Sequence, residues 1–226
     1  PELLERTRQA VLAMGPGIVP QVLGRMKDGR RQDNARLRRL ALALAERKYA
    51  AAAVPHLSHR FACVRETAAR MLRKAPDPAV LPGLLQAFGR EKEGPVKEMM
   101  AFGLCHLGSV EGLPLLFRVA RREFLPRREE ILAAARGVQG EKAARWLEER
   151  LAGEEKMEKL AALRLLAMAG DRRSARKAAA LLESRDHTLV SAAINVLRAL
   201  IDGKPPRKHM SVFQMIEAKK RWRKRL

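Results

Sequence analysis

The sequence predicts an all-α chain, organised as an α-solenoid. Three observations carry this expectation: the composition, a period of about thirty residues, and helix stop signals at that period. Ala and Leu supply 36 and 32 of the 226 residues, while Val, Ile and Thr together supply 21. Small and straight-chain apolar residues favour helix, and β-branched ones favour strand. Aromatics make up 4% of the chain, so the core is expected to be aliphatic.

The elements follow in order. Val19-Pro20, Val54-Pro55, Leu81-Pro82 and Leu113-Pro114 each open a short apolar helical pattern, at spacings of 35, 27 and 32 residues. Proline is tolerated in the first turn of a helix, where its missing N–H has no partner to lose. Each pattern is followed by a second, Ala/Leu-rich helix. The second helices align as Leu37-Arg38-x-x-Ala41, Val64-Arg65-x-x-Ala68, Val96-Lys97-x-x-Met100, Arg128-Glu129-x-x-Leu132, Glu158-Lys159-x-x-Ala162 and Leu189-Val190-x-x-Ala193. Their starts are 27, 32, 32, 30 and 31 residues apart. Leu107-Gly108, Gln139-Gly140 and Ala169-Gly170 supply the expected stops. Helix pairs at such a period stack, because one pair alone leaves an apolar face open.

The Leu/Val-Pro start of the first helix, the Val-Arg-x-x-Ala-Ala start of the second and the Leu-Gly stop resemble HEAT repeats, in their short bacterial form. The resemblance covers roughly residues 17 to 202. It implies a right-handed superhelix of antiparallel helix pairs, with the second helices on the concave side and a partner protein bound there. It also implies that the arginine of the second helix, at Arg38 and Arg65 with Lys97 and Lys159 in the same place, bonds between neighbouring repeats. A groove-lining role for this ladder is the alternative.

Residues 1–15 read as a second helix without its partner, so residues 1–202 hold half a repeat and then about six pairs. The chain has no initiator Met, and an array that opens on half a repeat exposes Leu4, Val11 and Leu12. A parent protein extending upstream, or an element covering that face, is expected. At the other end Gly203-Lys204-Pro205-Pro206 breaks the array from a basic C-terminal helix and tail, residues 203–226. Val212, Met215, Ile216, Trp222 and Leu226 share a stripe there. Val212, Phe213 and Ile216 are expected to cap the last repeat, with Arg221 to Arg225 mobile.

Chemistry is mostly excluded. The longest run free of Asp, Glu, Lys and Arg is 16 residues, below the roughly 20 of a spanning helix. Cys63 and Cys105 lie in apolar helical patterns and read as reduced core thiols of a cytoplasmic protein. His56-x-x-His59 is the only histidine pair at helical spacing, with no third ligand in view. No histidine precedes a glutamate, as the HEAT-like iron hydroxylases would require. No phosphate loop or nucleophile elbow occurs. Glu129-Glu130 and Glu148-Glu149 are neighbours about 100° apart on a helix, and read as solvated residues. No catalytic residue, metal or cofactor is expected. DNA glycosylases with HEAT-like repeats keep an enzyme open by resemblance alone.

The net charge of +21 is uneven. Residues 25–74 hold 14 bases and 4 acids, and residues 203–226 hold 9 bases and 1 acid. Residues 75–202 are nearly balanced, with 21 bases and 18 acids. The candidate polyanion-binding residues are Arg30, Arg31, Arg36, Arg38, Arg39 and Arg65 at the first pole. Lys219, Lys220, Arg221, Arg223, Lys224 and Arg225 are the candidates at the second. The expected function is a non-enzymatic binding scaffold with basic docking poles. Nucleic acid, an acidic protein and an anionic membrane surface all suit such poles. A nucleic-acid-binding protein and a cytosolic domain of a membrane-associated complex are the alternatives.

Overall fold

The computed structural model describes Arg6, Gln9, Ala10 and residues 13–225. Leu4, Val11, Leu12 and Leu226 lie outside the described residues, as does most of the expected half repeat. Among the described residues there are thirteen α-helices, a few 3-10 turns and no strand. No helix is long and apolar enough to cross a membrane among them. The chain divides into two compact units, residues 1–112 and 113–226.

The first unit contains α1 (Ile18–Gly24), α2 (Arg31–Ala43), α3 (Ala50–Ala53), α4 (Ala62–Lys74), α5 (Leu81–Arg90) and α6 (Gly94–His106). The longer helices form its spine: α2 packs on α4, and α4 on α6. The shorter elements α1, α3 and α5 pack beside them. The second unit contains α7 (Leu113–Glu123), α8 (Arg128–Gly137), α9 (Glu141–Leu151), α10 (Lys156–Ala169), α11 (Arg172–Ala179), α12 (His187–Leu200) and α13 (Val212–Arg223). Here α8 packs on α10 and α10 on α12, with α7, α9 and α11 beside them.

The spine helices are apolar on several sides because they are covered on several sides. Helix α6 buries eight of its thirteen residues, among them Val96, Met100, Phe102 and Leu104. Helix α10 buries eight of fourteen, including Leu160, Leu163, Leu165 and Leu166. Alanines such as Ala68, Ala101, Ala134 and Ala161 are fully buried where helices approach closely.

Two boundaries differ from the sequence expectation. Helix α2 begins at Arg31, six residues before Leu37. Its first turns are polar, so no apolar period marks them, yet Arg, Gln and Ala all favour helix. Val54-Pro55 does not open a helix. It ends α3 at Ala53 and starts a 3-10 turn, Val54–Ser58. The proline ring and missing N–H forbid an unbroken α-ladder there.

Two glycines beside α6 illustrate where glycine is needed. Gly108 closes α6 with φ +83°, the left-handed region, and its N–H donates to the Cys105 carbonyl at 3.0 Å. Gly112 packs so tightly on α6 that a Cβ would fall on the Ala101 carbonyl oxygen and 2.9 Å from Cys105 Sγ. Gly112→Ala should therefore cost about 1–3 kcal/mol through overpacking. A urea midpoint equal to that of the wild type would show that α6 yields freely at this contact.

Candidate polyanion-binding surfaces

Polar contacts hold the loop before α2 in one place. Met26 is fully buried and anchors it. The buried Asn34 side chain accepts from the Lys27 N–H at 3.2 Å and donates to the Lys27 carbonyl at 2.6 Å. Asp28 accepts from the Cys63 N–H at 3.2 Å, at the start of α4. Hydrogen bonding from Cys63 holds the Asp28 carboxyl below the usual range, against a smaller effect of burial. The loop is thus tied to both α2 and α4.

This clamp sets the first basic surface. Arg30 is the N-cap of α2 and Arg31 its first residue. At 100° per residue, Arg31, Arg36 and Arg39 fall on the side of α2 opposite Ala41 and Leu44. Arg30, Arg31, Arg36 and Arg39 are all exposed. Among the described residues no hydrogen bond or ion pair engages their side chains. Asp33 is the only acid on α2. Arg25 and Lys27, also exposed, extend the surface along the loop.

Arg38 and Arg65 are placed differently. Arg38 donates to Glu66 at 3.0 Å and Thr67 Oγ1 at 3.3 Å, joining α2 to α4. Arg65 makes a bidentate pair with Glu91 at 2.7 and 3.1 Å, and donates to the His59 and Arg60 carbonyls. Its side chain is 16% exposed and that of Glu91 4%. Burial raises the Glu91 carboxyl, but Arg65 and the N–H groups of Glu93 and Lys92 outweigh it and leave it lowered. Lys97 donates to the Glu91 carbonyl at 3.2 Å. Arg38, Arg65 and Lys97 therefore act as joints between successive helices. Arg65 in particular is enclosed by its own partners rather than presented to a polyanion.

The C-terminal helix α13 is docked, and ion pairs engage three of the exposed basic side chains of Arg221–Arg225. Arg223 pairs with Glu183 at 2.9 and 2.5 Å, and Lys219 pairs with it at 3.2 Å. Arg221 and Arg225 pair with Asp202 at 3.1 and 2.7 Å. Only Lys220 and Lys224 of the six predicted cations are exposed without an acid, among the described residues. The buried face is also different. Met215 and Trp222 are buried, whereas Val212, Phe213 and Ile216 are 56%, 73% and 47% exposed. A capping box between Ser211 and Gln214 starts the helix, and Met215 and Trp222 lie seven residues apart on one face. The Arg221 and Arg225 guanidiniums lie 4.9 and 4.5 Å from the Trp222 ring centroid.

No family model matches the chain, and no curated protein matches it.

Glu148 is not a solvated residue: it is 5% exposed, accepts from Ser174 Oγ at 2.9 Å and pairs with Lys177 at 2.6 Å. Helix α9 turns this residue towards α11, where a cation and a hydroxyl satisfy it. Cys63 and Cys105 are both free thiols. Burial pushes them up to about 11 and about 12 respectively, so neither is a thiolate at neutral pH. His56 and His59 stand with ring centroids 6.4 Å apart, and His59 Nδ1 accepts from the Phe61 N–H at 3.1 Å. No group of three metal-ligating side chains occurs among the described residues.

Sequence reading missed Asn34 and Asp28, which position the arginine loop. An Asn in a polar helical turn and an Asp in a Gly-containing loop carry no periodic signal. Two measurements check this geometry. Glu91→Ala leaves Arg65 enclosed without its acid and should cost about 3 kcal/mol, while Glu66→Ala, at a more exposed pair, should cost about 1 kcal/mol. Equal urea midpoints for the two variants would contradict that ranking. Arg223, then Lys219, lowers Glu183 from the ordinary 4.5 to about 2. Its hold on α13 is therefore complete above about pH 4.5 and is lost as the pH falls towards 2. In a Trp146→Phe background, Trp222 emission should shift to the red over that window. A red shift complete above pH 4.5 would place the hold elsewhere.

Proposed function

We propose that this chain is a HEAT-like α-solenoid that works as a non-enzymatic binding scaffold, with the arginine surface of α2 as its dock for a polyanionic partner. Six helix pairs by element order, with the second helix the longer in five of them, support the solenoid. The observation that carries the docking role is the contrast between two sets of cations. Arg38, Arg65, Lys97, Arg221, Arg223 and Arg225 are committed to acids or backbone carbonyls inside the fold. Arg30, Arg31, Arg36 and Arg39 are held on a clamped, exposed surface with no acid to meet. A cluster of unneutralised guanidiniums repels itself, and an anionic partner relieves that repulsion. Arginine's planar fork suits carboxylate and phosphate equally.

An acidic protein surface is the partner this reading favours. The C-terminal helix adds little to the dock, since four of its six cations are already paired. Nucleic acid is the second reading, favoured by the four guanidiniums along one loop and helix. Such contacts would be to phosphate rather than to stacked bases, because residues 25–44 contain no aromatic side chain.

Fluorescence anisotropy with labelled poly-glutamate and a labelled DNA duplex at 150 mM salt, a concentration of about physiological strength, tests both. Changing Arg30, Arg31, Arg36 and Arg39 together to Glu should abolish poly-glutamate binding. If the duplex binds through phosphates, its salt slope should fall by about 3–4 units in the same variant. Duplex binding that survives excess poly-glutamate favours the nucleic-acid reading. Unchanged binding of both probes by the variant removes α2 as the dock.

A further inference from the structure

The second unit contains a cavity of about 350 Å³ among α8, α10, α12 and the segment leading into α13. Its walls have two characters. Leu132, Leu160, Leu163 and Ala167 give an apolar side, and Leu125, 78% exposed, stands at the rim. Arg128, Arg164, Arg207 and Lys208 give a cationic side, on which Arg128 and Lys208 also reach Glu129, outside the lining. Among the described residues no Asp or Glu lines it.

Arg164 is the informative residue. It projects from the middle of α10, the most enclosed helix of the unit, and is half-buried. Its guanidinium lies 4.0 Å from the Phe124 ring centroid. Among the described residues no hydrogen bond or ion pair engages it. Burial lowers its pKa to about 10. Arg127 and Arg128 are similarly enclosed, yet each reaches an acid: Arg127 pairs with Glu130 at 2.8 Å and Arg128 with Glu129 at 2.5 Å. Enclosing a guanidinium without an acceptor is costly, and an Ala-rich helix offers many cheaper residues for the position. The segment that closes the cavity is itself fixed. Asn195 accepts from the Arg207 N–H at 2.8 Å and donates to the Arg207 carbonyl at 3.1 Å. Arg128 donates to the Pro206 carbonyl at 3.1 Å.

We propose that this cavity is a binding site for a small amphipathic organic acid. Its carboxylate takes the fork of Arg164, and its apolar body lies on Leu132, Leu160 and Leu163. The volume falls at the small end of the range for small-molecule sites, which are mostly apolar with a few convergent polar groups. Free phosphate would satisfy the guanidinium but leave the apolar wall wet. A neutral apolar molecule would leave the guanidinium unpaired. The site stands in the other unit from the α2 surface and does not rest on the scaffold reading.

Calorimetric titration of the full chain with octanoate, 1-octanol and inorganic phosphate tests the proposal. Octanoate should bind saturably, one per chain, at least about tenfold tighter than octanol or phosphate. Arg164→Leu should weaken octanoate about tenfold or more, Arg164→Lys, which keeps the charge but loses the fork, should weaken it by less than Arg164→Leu does, and Arg145→Gln on α9 should leave it unchanged. No saturable octanoate binding at millimolar concentration overturns the proposal. So does octanol binding equally well, which means apolar area alone is read, or phosphate binding equally well, which means charge alone is read. Should Arg164→Leu lose its helical circular dichroism, Ser191→Glu serves instead. It places a carboxylate on the half-exposed cavity wall and should weaken octanoate by about tenfold. Undiminished binding in a folded variant overturns the assignment.

Discussion

Glu91 receives both prongs of the Arg65 guanidinium, the N–H groups of Lys92 and Glu93 on its carboxylate, and Lys97 on its carbonyl. One acid thereby joins α4, the turn before α6 and the first turn of α6 itself. The same device recurs with other residues. Glu66 joins α2 to α4 through Arg38. In the second unit Glu155 and Glu158 hold Arg121 of α7 against α10, and Asp186 caps α12 while pairing with Lys156 of α10. Glu148 joins α9 to α11. Apolar burial supplies the driving force, but it does not choose which turn of one Ala-rich helix meets which turn of the next. Directional charge-assisted pairs make that choice.

This use of acids explains where charge remains on the surface. The chain has 25 acids for 46 bases, and the junctions consume acids first. Residues 75–202, nearly balanced in count, lend several of their acids to cations on either side, as Glu91 does to Arg65 and Glu183 to Arg223. Cations outside the junctions keep their charge for the solvent or for a partner. The C-terminal segment looked like the second such pole, with 9 bases against 1 acid. It borrows Glu183 and Asp202 from earlier in the same unit and spends four of its cations on them. Formal segment charge overstates exposed charge wherever a basic helix finds acids encoded elsewhere.

The helix pairs were legible because proline, glycine and Leu/Ala periodicity are local signals repeated many times. Helix α2 was legible only from Leu37 onward, since Arg31 to Arg36 offer no apolar stripe to detect. The docking face of α13 was misread for a related reason. Val212, Met215, Ile216 and Trp222 all lie within one broad arc, and hydrophobicity alone does not rank them. Trp222 wins because it is the largest side chain there and fills the contact completely. Glu148 was misread because its burial depends on Ser174 and Lys177, distant in sequence. The cavity around Arg164 escaped notice for the same reason. Its arginine sits inside Leu163-Arg164-Leu165-Leu166, an ordinary stretch of core helix, and its meaning comes from which acids are absent around it.

The composition of the α2 surface has one more consequence. Its exposed charges at Arg30, Arg31, Arg36 and Arg39 are all guanidiniums, and no histidine stands among residues 25–44. The loop that presents them is fastened by the Asn34 amide, which has no proton to lose or gain there, and by the Asp28 carboxylate, which hydrogen bonding from Cys63 holds below the usual range. Acidification within the physiological range gives this surface no switch of its own. An anion seated on it departs when its own charge is neutralised or when competing ions crowd it off. Regulation of such a complex belongs to the partner and to the ionic medium.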